Sequence, residues 1–411
     1  MIECNVKKNF IWNFLGLTIN SFNSFFFLII VNRINGQYDA GIFTYAFSLI
    51  TLLYFIGIYY SRTYQISNRQ FNNKEYLINR ILSCIIMIIT IFIFLALSNY
   101  NSYKSMIIIL IGLYRMFEAL ADVFYGFEQI ENELYKSGIS LFFKGILGLI
   151  GFLLVDYYTK NILLSLIAIC LINIIGIIFY DIPNCKKSIG KSFKWKNIFN
   201  LYKFSFPIFI YSFLNIFLVN SSKYALDYFS SAEIQNIFGI ILMPGTVISL
   251  VSQYILNPFM MELNSLYLEK RIKDFKKMIK KISLYIVLFG IIAEIVCYLF
   301  GIPVLNFIYG FDLSPYKYHL MLMILGAIFL ALTSSLSSAL TIVNKNYIQM
   351  IIYIVNSIFS IILCILLVGK YEINGAMLVY VLIMFLHFLL YIIFYKIFID
   401  KERRDKNEKN N

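Results

Sequence analysis

Charge is scarce in this chain. Only 14% of its 411 residues are Asp, Glu, Lys or Arg, against 60% that are hydrophobic, so no stretch remains from which a sizeable water-facing domain could be built. Histidine is scarcer still. His319 and His387 stand far apart with no carboxylate motif beside either, which argues against a metal centre. The six cysteines, Cys4, Cys84, Cys170, Cys185, Cys297 and Cys364, show no Cys-x-x-Cys spacing, so neither a zinc site nor a disulfide framework is expected. No cofactor is expected either.

What the chain has instead is a succession of apolar runs. A bilayer core about 30 Å thick takes roughly 20 helical residues, and twelve runs meet that length: 10–32, 41–61, 79–98, 105–127, 135–155, 161–180, 204–222, 234–256, 281–301, 319–341, 347–369 and 375–396. Stretches such as Ile85-Ile86-Met87-Ile88-Ile89 are continuously apolar, whereas barrel strands alternate, so the fold class is all-α and polytopic. No small-residue cleavage site follows the first run, so it reads as a span and not as a removed signal peptide.

Most of the 35 lysines and arginines fall on one side of these spans: Lys7, Lys8, Arg62, Arg69, Lys74, Arg80, Lys136, the 181–203 and 262–281 loops, Lys345, and the residues from Lys396 on. Basic residues are retained on the cytoplasmic side, so both termini are expected there. Only Arg33, Lys104, Lys160, Lys223, Lys317 and Lys370 fall opposite. The net charge of +13 is thereby dispersed among short loops, which suits topology and anionic lipid headgroups and argues against nucleic acid. The loop 181–203, with Pro183, Lys186, Lys187, Lys191, Lys194 and Lys196, divides the chain into a six-helix bundle over 1–203 and another over 204–400, followed by a charged, disordered tail at 401–411. Asp39 with Ile42-Phe43 has a faint echo in Glu233 with Ile237-Phe238, consistent with two related halves.

Polar groups inside spans are the functional clue, because a charge at the bilayer centre costs about 2.5 to 3.5 kcal/mol and must face protein or water. Arg115, Glu118 and Asp122 are spaced i, i+3, i+7 and share one face of the fourth span. Lys144 in the fifth span lies at a depth similar to that of Glu118, so a Glu118–Lys144 ion pair is expected, with Arg115 lining a cavity and Asp122 nearer its cytoplasmic mouth. Asn13, Gly16, Asn20, Asn23 and Ser24 form a stripe on the first span, with Ser212 and Asn215 on the seventh and Ser334, Ser337, Ser338 and Thr341 on the tenth. Such faces suit either a hydroxyl-rich substrate or close interhelical packing. Arg33 and Lys223 take equivalent places at the outer ends of spans 1 and 7, flanking an exit or serving as snorkelling anchors. Pro244, followed by Gly245, is the expected hinge. Glu294 is a lone acid, either a proton site or a structural hydrogen-bonding group.

Short motifs carry a resemblance. Lys8-Asn9-Phe10-Ile11-Trp12-Asn13-Phe14-Leu15-Gly16 opens the chain, Tyr38-Asp39-Ala40-Gly41-Ile42-Phe43-Thr44-Tyr45-Ala46 enters span 2, and Arg115, Glu118, Asp122, Tyr125-Gly126 and Gln129 mark span 4. Phe204-Ser205-Phe206-Pro207, Met243-Pro244, Gln253 and Asn257-Pro258 follow. Together these resemble the O-antigen and capsular polysaccharide flippases of the multidrug, oligosaccharidyl-lipid and polysaccharide exporter (MOP) superfamily. The resemblance implies a MATE-like fold in the bacterial cytoplasmic (inner) membrane. It also implies translocation, without covalent chemistry, of an undecaprenyl-diphosphate-linked oligosaccharide from the cytoplasmic to the outer leaflet. Arg115, Lys144, Arg33 and Lys223 would then give the cavity its cations and Asn20 a polar lining. Glu118, Asp122 and Glu294 would couple to H+ or Na+, and a polysaccharide polymerase would be a downstream partner. Two alternatives stay open: a cation-coupled multidrug exporter of the same superfamily, and a membrane enzyme of polysaccharide assembly.

Overall fold

The structure, a computed structural model, describes residues 2–67, 71–186, 188–190, 192–343 and 345–409, with side chains described from Lys8 to Ile399 apart from a few positions near these gaps. Arg69, Lys187 and Lys191 lie outside the described residues, as do the side chains of Cys4 and Lys7. No strand occurs among the described residues. The helices are α1 (Ile2–Ile34), α2 (Gln37–Ile58), α3 (Ser61–Ser67), α4 (Asn73–Leu97), α5 (Ser102–Ile130), α6 (Leu134–Thr159), α7 (Ile162–Gly176) and α8 (Ile182–Cys185). They continue with α9 (Trp195–Phe229), α10 (Ala232–Leu256), α11 (Met260–Leu268), α12 (Ile272–Val296), α13 (Ile302–Tyr309), α14 (Lys317–Ile342), α15 (Asn346–Leu363) and α16 (Gly369–Lys409). Helical backbone thus runs to Lys409, through the segment read from sequence as a disordered tail.

The chain forms two compact units, Met1–Phe213 and Leu214–Asn411, and α9 runs from one into the other.

Among the described residues, ten helical stretches are long and apolar enough to cross a membrane. The twelve runs expected from sequence all fall on helices, and the difference has two sources. Helix α5 carries Arg115, Glu118 and Asp122 within its length, which lowers its apolarity. Asn346–Ile399 forms one apolar stretch of 54 residues, about 80 Å of helix at 1.5 Å per residue, in which Glu372 leaves helical geometry at φ 47°, ψ −119°. Helix α4 shows what the outside of such a helix faces. It exposes Ile85, Ile86, Ile89, Phe92 and Ile93 and buries Glu75, Asn79, Arg80 and Ser83, the reverse of a helix in water. The protein is a multi-pass membrane protein built of helices.

In the first unit, α1 and α6 run side by side in the same direction. Asn9 Nδ2 donates to the Asn132 carbonyl (2.9 Å) and Asn9 Oδ1 accepts from the Tyr135 amide (2.8 Å) at one end. Asn23 Nδ2 donates to the Gly145 carbonyl (3.3 Å) midway, and Asn35 Nδ2 to Asp156 Oδ1 (3.3 Å) at the other end. The bonds donated by Nδ2 of Asn9, Asn23 and Asn35 span 123, 122 and 121 positions, as parallel helices in fixed register require. Glycines allow the approach. A methyl on Gly138 would lie 2.3 Å from the Trp12 carbonyl carbon, and one on Gly16 would lie 2.4 Å from the Gly138 oxygen. Elsewhere Glu75 closes the capping box of α4 through the Asn72 amide (2.9 Å), and its other oxygen accepts from the Lys194 amide and Asn197, tying α4 to the start of α9.

Candidate functional site

The first unit encloses a cavity of about 170 Å³ lined by Arg62, Arg115, Lys144, Glu118, Asp122 and neutral polar groups including Asn20, Asn23 and Asn173. Helix α5 sets it up. Its apolar positions pack into the bundle, so the face bearing Arg115, Glu118 and Asp122 turns to the cavity, as the i, i+3, i+7 spacing predicts.

The partners differ from those read off sequence. Glu118 is engaged within its own helix: Arg115 Nη1 lies 2.5 Å from Oε2 and Tyr114 Oη donates to Oε1 (2.9 Å). Lys144 Nζ instead pairs with Asp181 Oδ2 at 2.7 Å, while Ser140 donates to Asp181 Oδ1 (2.6 Å). The expected Glu118–Lys144 pair is therefore replaced by two others, and the reason is steric. The Lys144 stem lies over Gly176, where a methyl would stand 2.6 Å from Cδ, so the side chain leans towards α7 and away from Glu118. Asp181 is delivered at the end of a π-helical turn (Ile177–Asp181) that prolongs α7, and it is buried.

Asp122 serves two cations. Arg62 Nη1 donates to Oδ1 (2.9 Å) and Arg80 Nη2 to Oδ2 (2.8 Å). Arg62 reaches it because α3 lies against α5 at Gly126, where a methyl would collide with Gln65 (2.1 Å from Oε1). The same arginine donates to Gln129 Oε1 (2.9 Å), so the Tyr125-Gly126 and Gln129 signature of the sequence has a local purpose. Arg80 is fully buried behind the cavity wall, with Ser61 as its other partner and its Nε and Nη1 unpartnered. Arg115 keeps an unpartnered Nε and sits among rings, 4.6 Å from the centroid of Phe47 and 5.5 Å from that of Tyr54.

Sequence reasoning missed Arg62, Arg80 and Asp181 as site residues. All three stand at the ends of the spans expected from sequence: Arg62 and Arg80 count among the basic residues that mark topology, and Asp181 falls at the start of the 181–203 loop. Of the residues it did name, Arg115, Lys144, Asn20, Glu118 and Asp122 are brought together here. Arg33 is exposed at the last turn of α1, away from the lining. Lys223, Glu294 and Pro244 belong to the second unit and are not among the lining residues. Helix α10 continues through Pro244, and Glu294 is half-buried on α12 with Oε2 unpartnered. Ser337 and Thr341, expected on a polar stripe, bond Gln349, and Asn215 accepts from Tyr353 Oη (3.2 Å). No cluster of His, Cys, Asp and Glu among the described residues is arranged to hold a metal ion.

No family model matches the chain. The capsular polysaccharide biosynthesis protein CapF of Staphylococcus aureus is 23% identical over 397 residues, covering 95% of this chain and 99% of the relative. Among solved structures, the lipid II flippase MurJ in an inward closed conformation superposes with a TM-score of 0.72 at 15% identity, over 96% of this chain and 87% of that one. An inward-facing multidrug resistance MATE family transporter of the MOP superfamily gives 0.65 at 12% identity, over 94% and 95%. The resemblance first seen in short motifs therefore extends along the whole chain, to a capsular polysaccharide biosynthesis protein in sequence and to MurJ and the MATE transporters of the MOP superfamily in fold.

Proposed function

We propose that this protein is a flippase of the bacterial cytoplasmic membrane, with both termini cytoplasmic. It moves an undecaprenyl-diphosphate-linked oligosaccharide from the cytoplasmic to the outer leaflet by alternating access of its two halves. The observation that carries this reading is the shared carboxylate. Because Asp122 offers one negative charge to both Arg62 and Arg80, one positive charge is left in excess, while Arg115–Glu118 and Lys144–Asp181 cancel. An anionic headgroup gains from that excess in a site screened from water. Arg115 retains donors beyond those spent on Glu118, and the Lys144 ammonium has three donors with one on Asp181, so both can bind phosphate oxygens without first breaking a pair. Asn20, Asn23 and Asn173 suit the hydroxyls of a sugar.

The cavity is smaller than the roughly 300 to 1,000 Å³ of ordinary ligand pockets. An oligosaccharide therefore needs the cavity to widen, as alternating access requires. Glu118 and Asp122 are the acids through which an H+ or Na+ gradient acts, since neutralising either releases an arginine; Glu294 is the candidate in the second unit. Arg33 and Lys223 are kept as cations flanking the exit, Pro244 as a hinge, and a polysaccharide polymerase as the partner that takes up the product.

The test is mass spectrometry of lipid-linked oligosaccharides after depletion of the protein. Accumulation of one undecaprenyl-diphosphate oligosaccharide confined to the cytoplasmic leaflet is expected. The MATE structures among the fold neighbours favour multidrug export as the second reading. An unchanged lipid pool with heightened drug sensitivity would establish that reading instead.

A further inference from the structure

At the end of the first unit reached by the C-termini of α1 and α6, the Asn35–Asp156 contact holds a mismatch. Asp156 is fully buried. Its Oδ1 accepts from Asn35 Nδ2 (3.3 Å) and from Ser165 Oγ (3.2 Å). Its Oδ2 is buried without any partner, and so is the amide oxygen Oδ1 of Asn35. Two orphaned acceptors thus belong to two groups already joined by a hydrogen bond. Exchanging the amide's oxygen and nitrogen does not help, because the amide oxygen would then stand 3.3 Å from Asp156 Oδ1, acceptor against acceptor.

A buried acceptor without a donor costs about 1 to 3 kcal/mol, and a buried carboxylate without a cation more. Among the described residues, the charge that acts on Asp156 is that of another acid. Asp39, in the first turn of α2, acts on Asp156 with the same sign and is itself hydrogen-bonded by Tyr103 of α5. Helix α7 contributes only Ser165 and its cap, Asn161. Lys160, one turn beyond Asp156, is exposed, and the Lys104 ammonium lies 3.9 Å from the Tyr100 ring centroid.

We propose that Asp156 is a proton-binding site: the carboxyl is held neutral, and its Oδ2–H donates to Asn35 Oδ1. A single proton then repairs both orphans at once, turning one acceptor into a donor for the other and closing a ring of two hydrogen bonds between acid and amide. The neutral pair fastens the ends of α1 and α6. Loss of the proton leaves a carboxylate facing an amide oxygen with Asp39 close by, and the ends part. The fastening is therefore present at low pH and lost as pH rises. The site is distinct from the cavity, and its proton is independent of the cargo assigned to that cavity.

The experiment is infrared spectroscopy of the purified full-length protein in lipid nanodiscs at neutral pH, without substrate. The expected result is a protonated-carboxyl stretch that disappears in Asp156→Asn and shifts in Asn35→Ala. Asp156→Asn should also melt within a few degrees of the unchanged protein, because an amide reproduces both bonds, and should lose the pH dependence that this site adds. If no protonated-carboxyl band is lost in Asp156→Asn, the proposal is overturned. It is equally overturned if sodium, compared with choline at equal ionic strength, raises the melting temperature of the unchanged protein but not of Asp156→Asn, since a metal cation would then fill the site. Both readouts are silent on transport, so failure of the flippase reading leaves them interpretable.

Discussion

The interiors of the two units are polar in different ways. The first holds ionised side chains against one another: Arg62 and Arg80 on Asp122, Arg115 on Glu118, and Lys144 on Asp181. The second joins neutral groups. Gln349 accepts from Ser337 (2.6 Å) and Tyr391 (3.1 Å) and donates to Thr341 (2.9 Å); Asn356 and His387 share a hydrogen bond, and Ser360 donates to Ser221 (2.7 Å). His387 is packed between the rings of Tyr353 and Tyr391. A neutral network fixes helix register while attracting no ion. A charged one is finely balanced, and a change of one charge alters what it attracts.

That contrast can be broken most forcefully at Asp122. Asp122→Ala leaves two arginines without their shared carboxylate, one of them fully buried, and should destabilise the first unit by about 3 to 5 kcal/mol. Thermal unfolding in detergent measures it, and a loss no larger than that of Gln349→Ala would erase the distinction between the units. Next comes the exchange of charges between Lys144 and Asp181. Lys144→Asp combined with Asp181→Lys should recover stability that each single change loses, with a coupling of about 2 kcal/mol, whereas the swap of Glu118 with Lys144 should recover none. Gln349→Ala should cost about 1 to 3 kcal/mol by leaving Tyr391, Ser337 and Thr341 short of a partner, while export per folded molecule stays level in the lipid-linked oligosaccharide assay. A proportionate fall in export would mean that the second network also meets the cargo. The weakest effect is expected at Arg271, whose contacts with Glu269 and Asp274 lie at the exposed surface, so Arg271→Ala should leave the melting curve unchanged.

The helices were legible because membrane crossing demands long apolar runs, and all twelve runs fall on helices. Part of the site was legible for a related reason. Arg115, Glu118 and Asp122 stand out inside an apolar helix, and their spacing alone puts them on one face. Their partners were not legible. Arg62, Arg80 and Asp181 occur where chains ordinarily leave the membrane, so charge there signals topology as readily as chemistry. Only tertiary packing distinguishes the two: Gly126 admits α3 against α5, and Gly176 leans Lys144 towards Asp181. The Glu118–Lys144 pairing failed because equal depth says nothing about azimuth. The apolar criterion, in turn, passes over α5 because Arg115, Glu118 and Asp122 fall within its membrane-length stretch, and the same three residues are what line the cavity.

The fixed register of α1 and α6 has an evolutionary and engineering consequence. One residue added to either helix between the contacts at Gly16 and Asn35 would turn everything beyond it by about 100° and advance it 1.5 Å. Asn23 would leave Gly145 or Asn35 would leave Asp156, depending on where the residue went in. These two helices can therefore change in composition but not in length, and insertions and deletions among natural homologues should collect in the turns beyond their ends.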